Sequence, residues 1–257
     1  MSIIAMAVYS TEENKKDKCL EKTLASLHKT VDWKKHKIML SINGYTQTTK
    51  DIIYMWGNII HSVYWNETNL GTAEAVNKCW ASRTENEHCI KIDDDIVIHY
   101  EGWVEELEAV VAIDPKIGQA ALKRKDLRQC PQEESEWFKS ELVMLPHKAG
   151  ERWMVVERTR DIMGSCVLHS ADLINKVGGL RQFGLYGFED SLCSIRSRCA
   201  GFYNVFLPHI EIDHIDEGGT EYQKWKEKEA SLVWQKFLDL AKAYEAGKED
   251  LYHQLNK

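Results

Sequence analysis

The sequence predicts an α/β fold in which a largely parallel β-sheet is flanked by helices. Short apolar runs recur along the chain, and each ends in a polar loop. A stretch with helical spacing of apolar residues follows most of these runs, which favours a parallel sheet. The 257 residues are 44% hydrophobic and 28% charged, as in ordinary globular proteins. Since parallel sheets bind ligands at the carboxyl ends of their strands, we expect the functional residues at that edge.

The first two strand-helix units occupy the N-terminal 60 residues. Ile3 to Tyr9 is an apolar run that predicts a buried strand, and leucines at helical spacing between Leu20 and Val31 predict a helix. Lys37 to Ile42 predicts a second strand that ends in the turn Asn43-Gly44, and a helix is expected around Ile52 to Ile60.

The next unit brings an acidic cluster to the sheet edge. After a third strand near His61 to Trp65, a loop leads to a helix through Ala75 to Trp80, with Asn69 or Thr72 available as its cap. Cys89 to Ile92 then predicts a strand that runs directly into Asp93, Asp94 and Asp95. The charged triplet therefore lies at the carboxyl end of a predicted core strand.

The second half of the chain is less regular. A helix is predicted from Trp103 to Ala112, whereas Lys123 to Arg160 is charged and lacks periodicity. Ser165 to Leu168 predicts a strand, followed by a helix near Ala171 to Val177. From Glu221 onward the chain is charged, aromatic-rich and helical in pattern, so we expect a helix that packs on the domain, with an oligomer contact or an acceptor platform as the alternative.

The overall charge and cysteine pattern narrow the class of protein. A net charge of −7 argues against a protein that coats nucleic acid non-specifically. Seven cysteines without a Cys-x-x-Cys pair favour reduced thiols in the cytoplasm over a zinc ribbon or a disulfide framework. No stretch approaches the ~20 apolar residues of a transmembrane helix. We therefore expect a cytoplasmic protein without a transmembrane segment.

Three consecutive aspartates at the end of a strand require a positive partner. Mg²⁺ and Mn²⁺ prefer carboxylate oxygens and commonly also bind substrate phosphates, so Asp93, Asp94 and Asp95 indicate a metal-diphosphate site. The alternative is a solvated acidic turn, but Ile96 to Ile98 after the triplet ties it to the core.

Two other acid or imidazole groups are candidates for the same site. His214 follows an alternating segment and could ligate the metal, although a surface or structural histidine has the same pattern. Glu189 and Asp190 precede a predicted helix, where acids complement the helix dipole or can serve as a general base.

The order of these motifs resembles glycosyltransferase family 2 on the GT-A fold, from Ile3 to about Gly219. Asn69-Leu70-Gly71 with Asn77 is similar to that family's Asn-Leu-Gly loop and helix, and Asp93 to Asp95 to its DxD strand. Gly164 to Leu168, Val177 to Leu180 and the pair Glu189-Asp190 resemble its second conserved block.

The resemblance implies a role for each matching position. Asp95 would ligate Mn²⁺ or Mg²⁺ with Asp93 and His214, while Asp190, next to Glu189, would be the catalytic base. The nucleotide-sugar, with a UDP-sugar as first choice, would be held by residues of the donor half of the site: Tyr9, Asn43, Asn69, Gly71, Asn77, Asp93 and Asp94. Many relatives carry an aspartate where this chain has Ile42, which leaves the choice of base open.

The implied reaction is inverting transfer of a hexosyl or pentosyl group to an acceptor hydroxyl. We expect a GT-A domain over residues 1–220, with a nucleotide-sugar half (1–118) and an acceptor half (119–220), and a helical extension over 221–257. The acceptor would be a glycan or, alternatively, a hydroxymethylated base in nucleic acid. A sugar nucleotidyltransferase would carry a glycine-rich basic loop after the first strand, where this chain has Ser10 to Asn14. A non-enzymatic nucleotide-sugar-binding protein would need no base.

Overall fold

A computed structural model describes residues 1–126, 140–146, 153–216 and 220–255. Residues 127–139 and 147–152, which belong to the stretch predicted as irregular, lie outside the described residues. The strands are β1 (Ser2–Tyr9), β2 (Lys37–Gly44), β3 (Ile60–Trp65), β4 (His88–Ile92), β5 (Ile96–Ile98), β6 (Ile117–Arg124), β7 (Ser140–Pro146), β8 (Trp153–Thr159), β9 (Cys166–His169) and β10 (Tyr203–His214). The helices are α1 (Asp17–Thr30), α2 (Gln47–Met55), α3 (Gly71–Trp80), α4 (Trp103–Ile113), α5 (Ala171–Val177), α6 (Glu189–Cys199) and α7 (Thr220–Glu245).

In the described ranges one sheet of ten strands runs in the order β3-β2-β1-β4-β9-β6-β10-β8-β7, with β5 paired to β10. The first four strands are parallel to one another. β9 then pairs antiparallel with both β4 and β6, and β6 is parallel to β10. The antiparallel pairings of β9 bring the segment just before it to the carboxyl end of β4, where the aspartates lie.

The helices form because one face of each is apolar. In α1, Leu20, Leu24 and Leu27 recur at helical spacing and are completely buried in the main core cluster. The long helix α7 packs through Phe237 and Tyr244 against α6. The C-terminal stretch thus forms a helix that packs on the domain, as its spacing predicts, but this helix ends at Glu245 and residues 246–255 are not helical, whereas the predicted extension ran to residue 257.

The structure differs from the sequence prediction in three further places. α2 ends at Met55, so residues 56–59 form a turn where a helix was predicted. Leu70 rather than Asn69 or Thr72 is the N-cap residue of α3, although the Asn69 side chain accepts from the Gly71 N–H at 2.9 Å and the Gln182 side chain accepts from the Ala73 N–H. Part of the charged stretch from Lys123 to Arg160 forms the antiparallel pair β7 and β8. This hairpin has no clear alternation in the sequence, because exposed positions carry apolar residues such as Leu142, Trp153 and Val155 as well as charged ones.

The predicted α/β class, a sheet flanked by helices with a helical tail, is confirmed. Among the helices the structure describes, we find none with the length and apolar character needed to cross a bilayer.

Candidate active site

A cleft of about 420 Å³ lies at the carboxyl ends of β1, β2 and β4. It is the place where an α/β sheet is expected to bind a ligand. The acidic triplet and the Glu189-Asp190 pair both line it, as does the beginning of α7. Its charged lining residues are Lys16, Lys91, Asp93, Asp94, Asp95, Arg124, Glu189, Asp190, His214 and Lys226.

The three aspartates have different surroundings. Asp94 and Asp95 are 7% and 4% exposed, whereas the Asp93 side chain is 35% exposed. Burial raises the pKa of Asp94 to about 7, against the opposing effect of Lys16. Burial opposes ionisation of Asp95 as well, but hydrogen bonds from His214 and Lys16 outweigh it and hold the pKa of Asp95 below its usual range. Asp95 is therefore the carboxylate of the triplet that is held in its charged form.

Strand pairing brings His214 to Asp95. His214 is opposite Ile96 in the antiparallel pairing of β10 with β5, and the Ile215 N–H donates to the Asp95 carbonyl at 2.9 Å. His214 Nε2 lies 3.5 Å from Asp95 Oδ2. Asp216 completes a group of three side chains whose ligand atoms all lie within 4.8 Å of one another, a spacing suited to one metal ion. The structure thus brings Asp95 and His214 together and adds Asp216.

Asp93 faces another partner. Its Oδ1 atom is 3.1 Å from the ammonium of Lys91, a residue of β4 that is buried beneath the cleft. Asp93 is not in the group formed by Asp95, His214 and Asp216. Its predicted part in metal ligation stays a prediction.

Two lysines form ion pairs with the aspartates of the group Asp95, His214 and Asp216. Lys16, delivered by the loop between β1 and α1, is 5% exposed, and its ammonium lies 2.7 Å from Asp95 Oδ2 and 2.9 Å from Asp216 Oδ2. Lys226 of α7 lies 3.3 Å from the same Asp216 oxygen. Burial disfavours the charged form of Lys16, yet Asp94 and Asp95 outweigh it and raise the pKa of this lysine. Sequence reasoning missed both lysines.

Glu189 and Asp190 begin α6, which places them at the positive end of the helix dipole. Asp190 Oδ2 accepts from the Gly164 N–H at 3.1 Å, and Oδ1 lies 3.3 Å from Lys91 Nζ. Glu189 is buried, and this burial raises its pKa to about 7 with a further contribution from Asp190. Both acids line the cleft, and Asp190, whose side chain is 25% exposed against 9% for Glu189, is the more accessible of the two.

Lys91 connects the acidic triplet to the Glu189-Asp190 pair. Its ammonium donates to the Gly164 carbonyl at 2.8 Å and lies within 3.6 Å of Asp93, Glu189 and Asp190 oxygens. Burial disfavours its charge, but these three carboxylates outweigh burial and raise the pKa of Lys91. A buried ammonium therefore offsets the charge of the acids on both sides of it.

The residues predicted to hold the nucleotide differ in their access to the cleft. Tyr9, Asn43 and Asn69 line it, whereas Gly71 and Asn77 do not. The Asn43 amide already donates to the Gly71 carbonyl and accepts from Leu70 N–H. Asn77 is 1% exposed and bonds to the Leu180 backbone through both its amide nitrogen and its amide oxygen.

The first turns of α7 add aromatic rings to the cleft. Trp225 is nearly parallel to Tyr9, with ring centroids 6.2 Å apart, and also contacts Tyr186 at 6.1 Å. It stacks on Tyr222 at 5.5 Å. The ring of Trp225 therefore lies between the end of β1 and the segment that precedes Asp190. The sequence places Trp225 in the aromatic helical tail, but no motif places it in the cleft.

Comparisons with known proteins show the fold. No family model matches the chain, and no curated protein matches it in sequence. The solved structures that it resembles include the mannosyltransferase PcManGT of Pyrobaculum calidifontis in complex with GDP-Man and Mn²⁺ (TM-score 0.65, 14% identity, 87% of this chain and 59% of that one). Another is S. aureus TarS 1–349 with UDP-GlcNAc (TM-score 0.59, 14% identity, 87% of this chain and 64% of that one). A third is GalNAc-T7 with UDP, GalNAc and Mn²⁺ (TM-score 0.57, 13% identity, 95% of this chain and 50% of that one).

These neighbours are glycosyltransferases of the GT-A type, and the predicted GT-A fold of this chain is confirmed. The chain spans about half to two thirds of the length of these structures. At 13–14% identity the likeness establishes architecture alone.

Proposed function

We propose that this protein is a metal-dependent glycosyltransferase that moves a sugar from a nucleoside-diphosphate sugar to an acceptor hydroxyl, with inversion at the anomeric carbon. The supporting observation is that Asp95, His214 and Asp216 share one cleft with Asp190 on a GT-A fold. Such a transfer needs a metal site for the leaving diphosphate and a general base for the acceptor hydroxyl. The three side chains are suited to hold the metal, and Asp190 is a partly exposed carboxylate at the start of a helix.

The chemistry of the donor set fits a divalent cation. Two carboxylates and one imidazole suit Mn²⁺, and carboxylates also suit Mg²⁺. Asp95 Oδ1 is buried and has no hydrogen-bond partner among the described residues, so an oxygen is available for a ligand. Asp95, His214 and Asp216 would hold the ion. When bound, the metal would offset the charge that develops on the leaving diphosphate.

The chain's own residues would position and deprotonate the acceptor. Asp190 would take the proton of the acceptor hydroxyl, held in place by the Gly164 N–H and Lys91. Glu189, which also lines the cleft, would serve as a largely buried neighbour of the base, since it is only 7% exposed. Lys91 would keep the base oriented and offset the surrounding negative charge.

The donor's base would lie near Tyr9, which ends β1 and lines the cleft beside Asn69 and Asn43. The neighbours bind GDP-Man, UDP-GlcNAc and UDP, which supports a pyrimidine or purine nucleoside diphosphate as the leaving group. A UDP-sugar remains our first choice. Trp225, whose ring centroid lies 6.2 Å from that of Tyr9, would offer a face to the donor's base, and the Tyr186 ring in the same cleft would offer an apolar face to an acceptor sugar, so we propose a glycan acceptor.

A panel of nucleotide-sugars tests the proposal. The protein is incubated with each donor and Mn²⁺ or Mg²⁺, with glycan acceptors in one arm and hydroxymethylated DNA in another, and release of nucleoside diphosphate is measured. We expect turnover with one donor class, loss of turnover in Asp95→Ala, and loss in Asp190→Asn with donor binding retained. An anomeric analysis of the product by NMR should show inversion.

Turnover in the presence of a metal chelator, or full activity in both variants, would refute the mechanism. Donor binding without turnover on any acceptor would favour a non-enzymatic nucleotide-sugar-binding protein. Release of pyrophosphate from a nucleoside triphosphate and a sugar phosphate would instead identify a nucleotidyltransferase.

A further inference from the structure

We propose that the ammonium of Lys16 is a competing internal cation of the metal site, so that a divalent ion binds only when Lys16 withdraws from Asp95 and Asp216. This inference rests on the proposed metal site. It adds a residue that sets metal affinity and has no place in the motifs of the sequence.

The geometry puts Lys16 between two of the three candidate ligands. Its Nζ atom lies 2.7 Å from Asp95 Oδ2 and 2.9 Å from Asp216 Oδ2, and 3.8 Å from Asp94 Oδ1. An ammonium in this position donates to Oδ2 of both aspartates, while Asp95 Oδ1 has no partner among the described residues. A divalent cation bound by these carboxylates would lie within a few ångströms of the ammonium, and the two like charges would repel each other.

Burial strengthens the repulsion between the Lys16 ammonium and a metal ion at this site. The side chains of Lys16, Asp95 and Asp216 are 7%, 5% and 9% exposed, so water screens their charges weakly. Two cations that share the same two carboxylates in such surroundings repel each other strongly. Lys226, which is 3.3 Å from Asp216 Oδ2, adds a further positive charge on the same side.

The Lys16 side chain can leave this pairing without a change in the fold. Lys16 lies in the loop just before α1 rather than inside a strand, so its long side chain can change rotamer without moving the sheet. The Tyr222 ring, which lines the same cleft, is 5.3 Å from Lys16 Nζ in the paired position.

A binding measurement tests the inference without any acceptor. Mn²⁺ affinity is measured by isothermal titration calorimetry and by the EPR signal of free Mn²⁺, for the wild type, Lys16→Met and Lys18→Met. Lys18 is exposed on the same helix, so its variant makes the same change in net charge outside the site. We expect Lys16→Met to bind Mn²⁺ at least about tenfold more tightly, and Lys18→Met to bind as the wild type does.

A second measurement uses the unmodified chain, in case Lys16→Met does not fold. Lysines are reductively methylated with and without Mn²⁺, and the extent of labelling is read by mass spectrometry. Mn²⁺ should increase labelling of Lys16 and leave Lys18 unchanged. Labelling of Lys16 that does not respond to Mn²⁺ would overturn the inference.

The outcomes separate the inference from the proposed function. If the wild type binds Mn²⁺ and Lys16→Met binds it equally or more weakly, Lys16 does not compete with the metal and only the inference fails. If neither form binds Mn²⁺, the metal site itself is absent and the metal-dependent function fails with it. Binding by the variant alone would support the inference in its strongest form.

Discussion

Gly164→Ala should disable the proposed base while leaving the donor site intact. A Cβ atom built on Gly164 would lie 1.9 Å from Asp190 Oδ1, 2.0 Å from its Cγ and 2.2 Å from its Oδ2. The Asp190 carboxylate therefore occupies the space above the Gly164 Cα, where its Oδ2 accepts from the Gly164 N–H at 3.1 Å. Only a residue without a side chain permits this contact.

The size of the effect follows from the displacement. Ordinary contact with a Cβ begins at 3.4 Å, so the nearest carboxylate atom must retreat by 1.5 Å, the difference between 3.4 and 1.9 Å. A misplacement of about 1 Å at a reacting group can cost roughly 100-fold in rate. We expect kcat for sugar transfer, measured by release of nucleoside diphosphate, to fall by about 100-fold or more. The Kd of the nucleoside diphosphate should change less than about threefold.

Gly201→Ala is the matched control, because an added methyl group at Gly201 meets nothing within 4 Å. Its φ of +88° makes alanine strained there, at a cost of about 1 kcal/mol in unfolding free energy. The control thus loses stability and keeps its turnover. If Gly164→Ala turns over within about threefold of the wild type, the assignment of Asp190 as the base, or its position against Gly164, is wrong.

Three further predictions concern stability and donor binding. Lys91→Met leaves three carboxylates, which lie 3.1–3.6 Å from the Lys91 ammonium, without their cation. Urea unfolding should therefore show a loss of about 3–5 kcal/mol in the free energy of unfolding, against less than about 0.5 kcal/mol for the exposed control Lys18→Met. Equal losses in the two variants would contradict the role of Lys91. Trp225→Leu should raise the calorimetric Kd of the nucleoside diphosphate about tenfold, since base-aromatic stacking is worth about 1–3 kcal/mol, while Trp234→Leu on the same helix should not. Burial lowers the pKa of His169 to about 3, below its unfolded value of about 6.5, so the contribution of His169 to stability is complete above pH 6.5 and falls by about 1.4 kcal/mol per unit as the pH drops toward 3. Asp94 and Glu189, with pKa values of about 7, contribute the opposite slope, so the test is the difference in unfolding free energy between the wild type and His169→Gln, which a urea series should show changing by that amount per unit from pH 6 to 5.

The hydrogen bonds around His169 explain why it stays neutral. Ser194 Oγ donates to Gln119 Oε1 at 3.0 Å, which leaves the Gln119 amide nitrogen to donate to His169 Nε2 at 3.1 Å. A protonated imidazole would place two donors face to face at this contact. His169 is also 1% exposed, so no water is available to solvate its charge.

The sequence predicted those parts of the molecule that depend on local pattern. The strand that ends in Asp93 to Asp95, the helix after Asn69 and the acids at the start of α6 lie where periodicity and motif order place them. His214 needed the fold, because its approach to Asp95 depends on the antiparallel pairing of β10 with β5. That pairing joins segments more than a hundred residues apart and has no local signal.

The site residues that the sequence analysis did not identify differ in how clearly their sequence context indicates a role. Lys91 lies between two isoleucines of a core strand, and a lysine there must find carboxylates, so this pattern could have identified it. Asp216 follows His214 by two residues in an acidic loop, so its closeness to a candidate ligand was a signal that could have identified it. Lys16 and Trp225 lie outside every motif, and only tertiary packing brings them to the cleft.

The donor half and the base are positioned by the same pair of strands. β4 and β9 are antiparallel, with Ile92 opposite Cys166, and the Asp93 N–H donates to the Ser165 carbonyl at 3.0 Å. The peptide that holds Asp190 through the Gly164 N–H is therefore a continuation of the ladder that carries the aspartates. Lys91, from the same β4, reaches across to Asp190 and to the Gly164 carbonyl. The contacts of Gly164 and Lys91 with Asp190 both depend on the register between β4 and β9. A shift of β9 along β4 would therefore move Asp190 relative to the acidic triplet, so the antiparallel pairing of these two strands fixes the distance between the base and the aspartates.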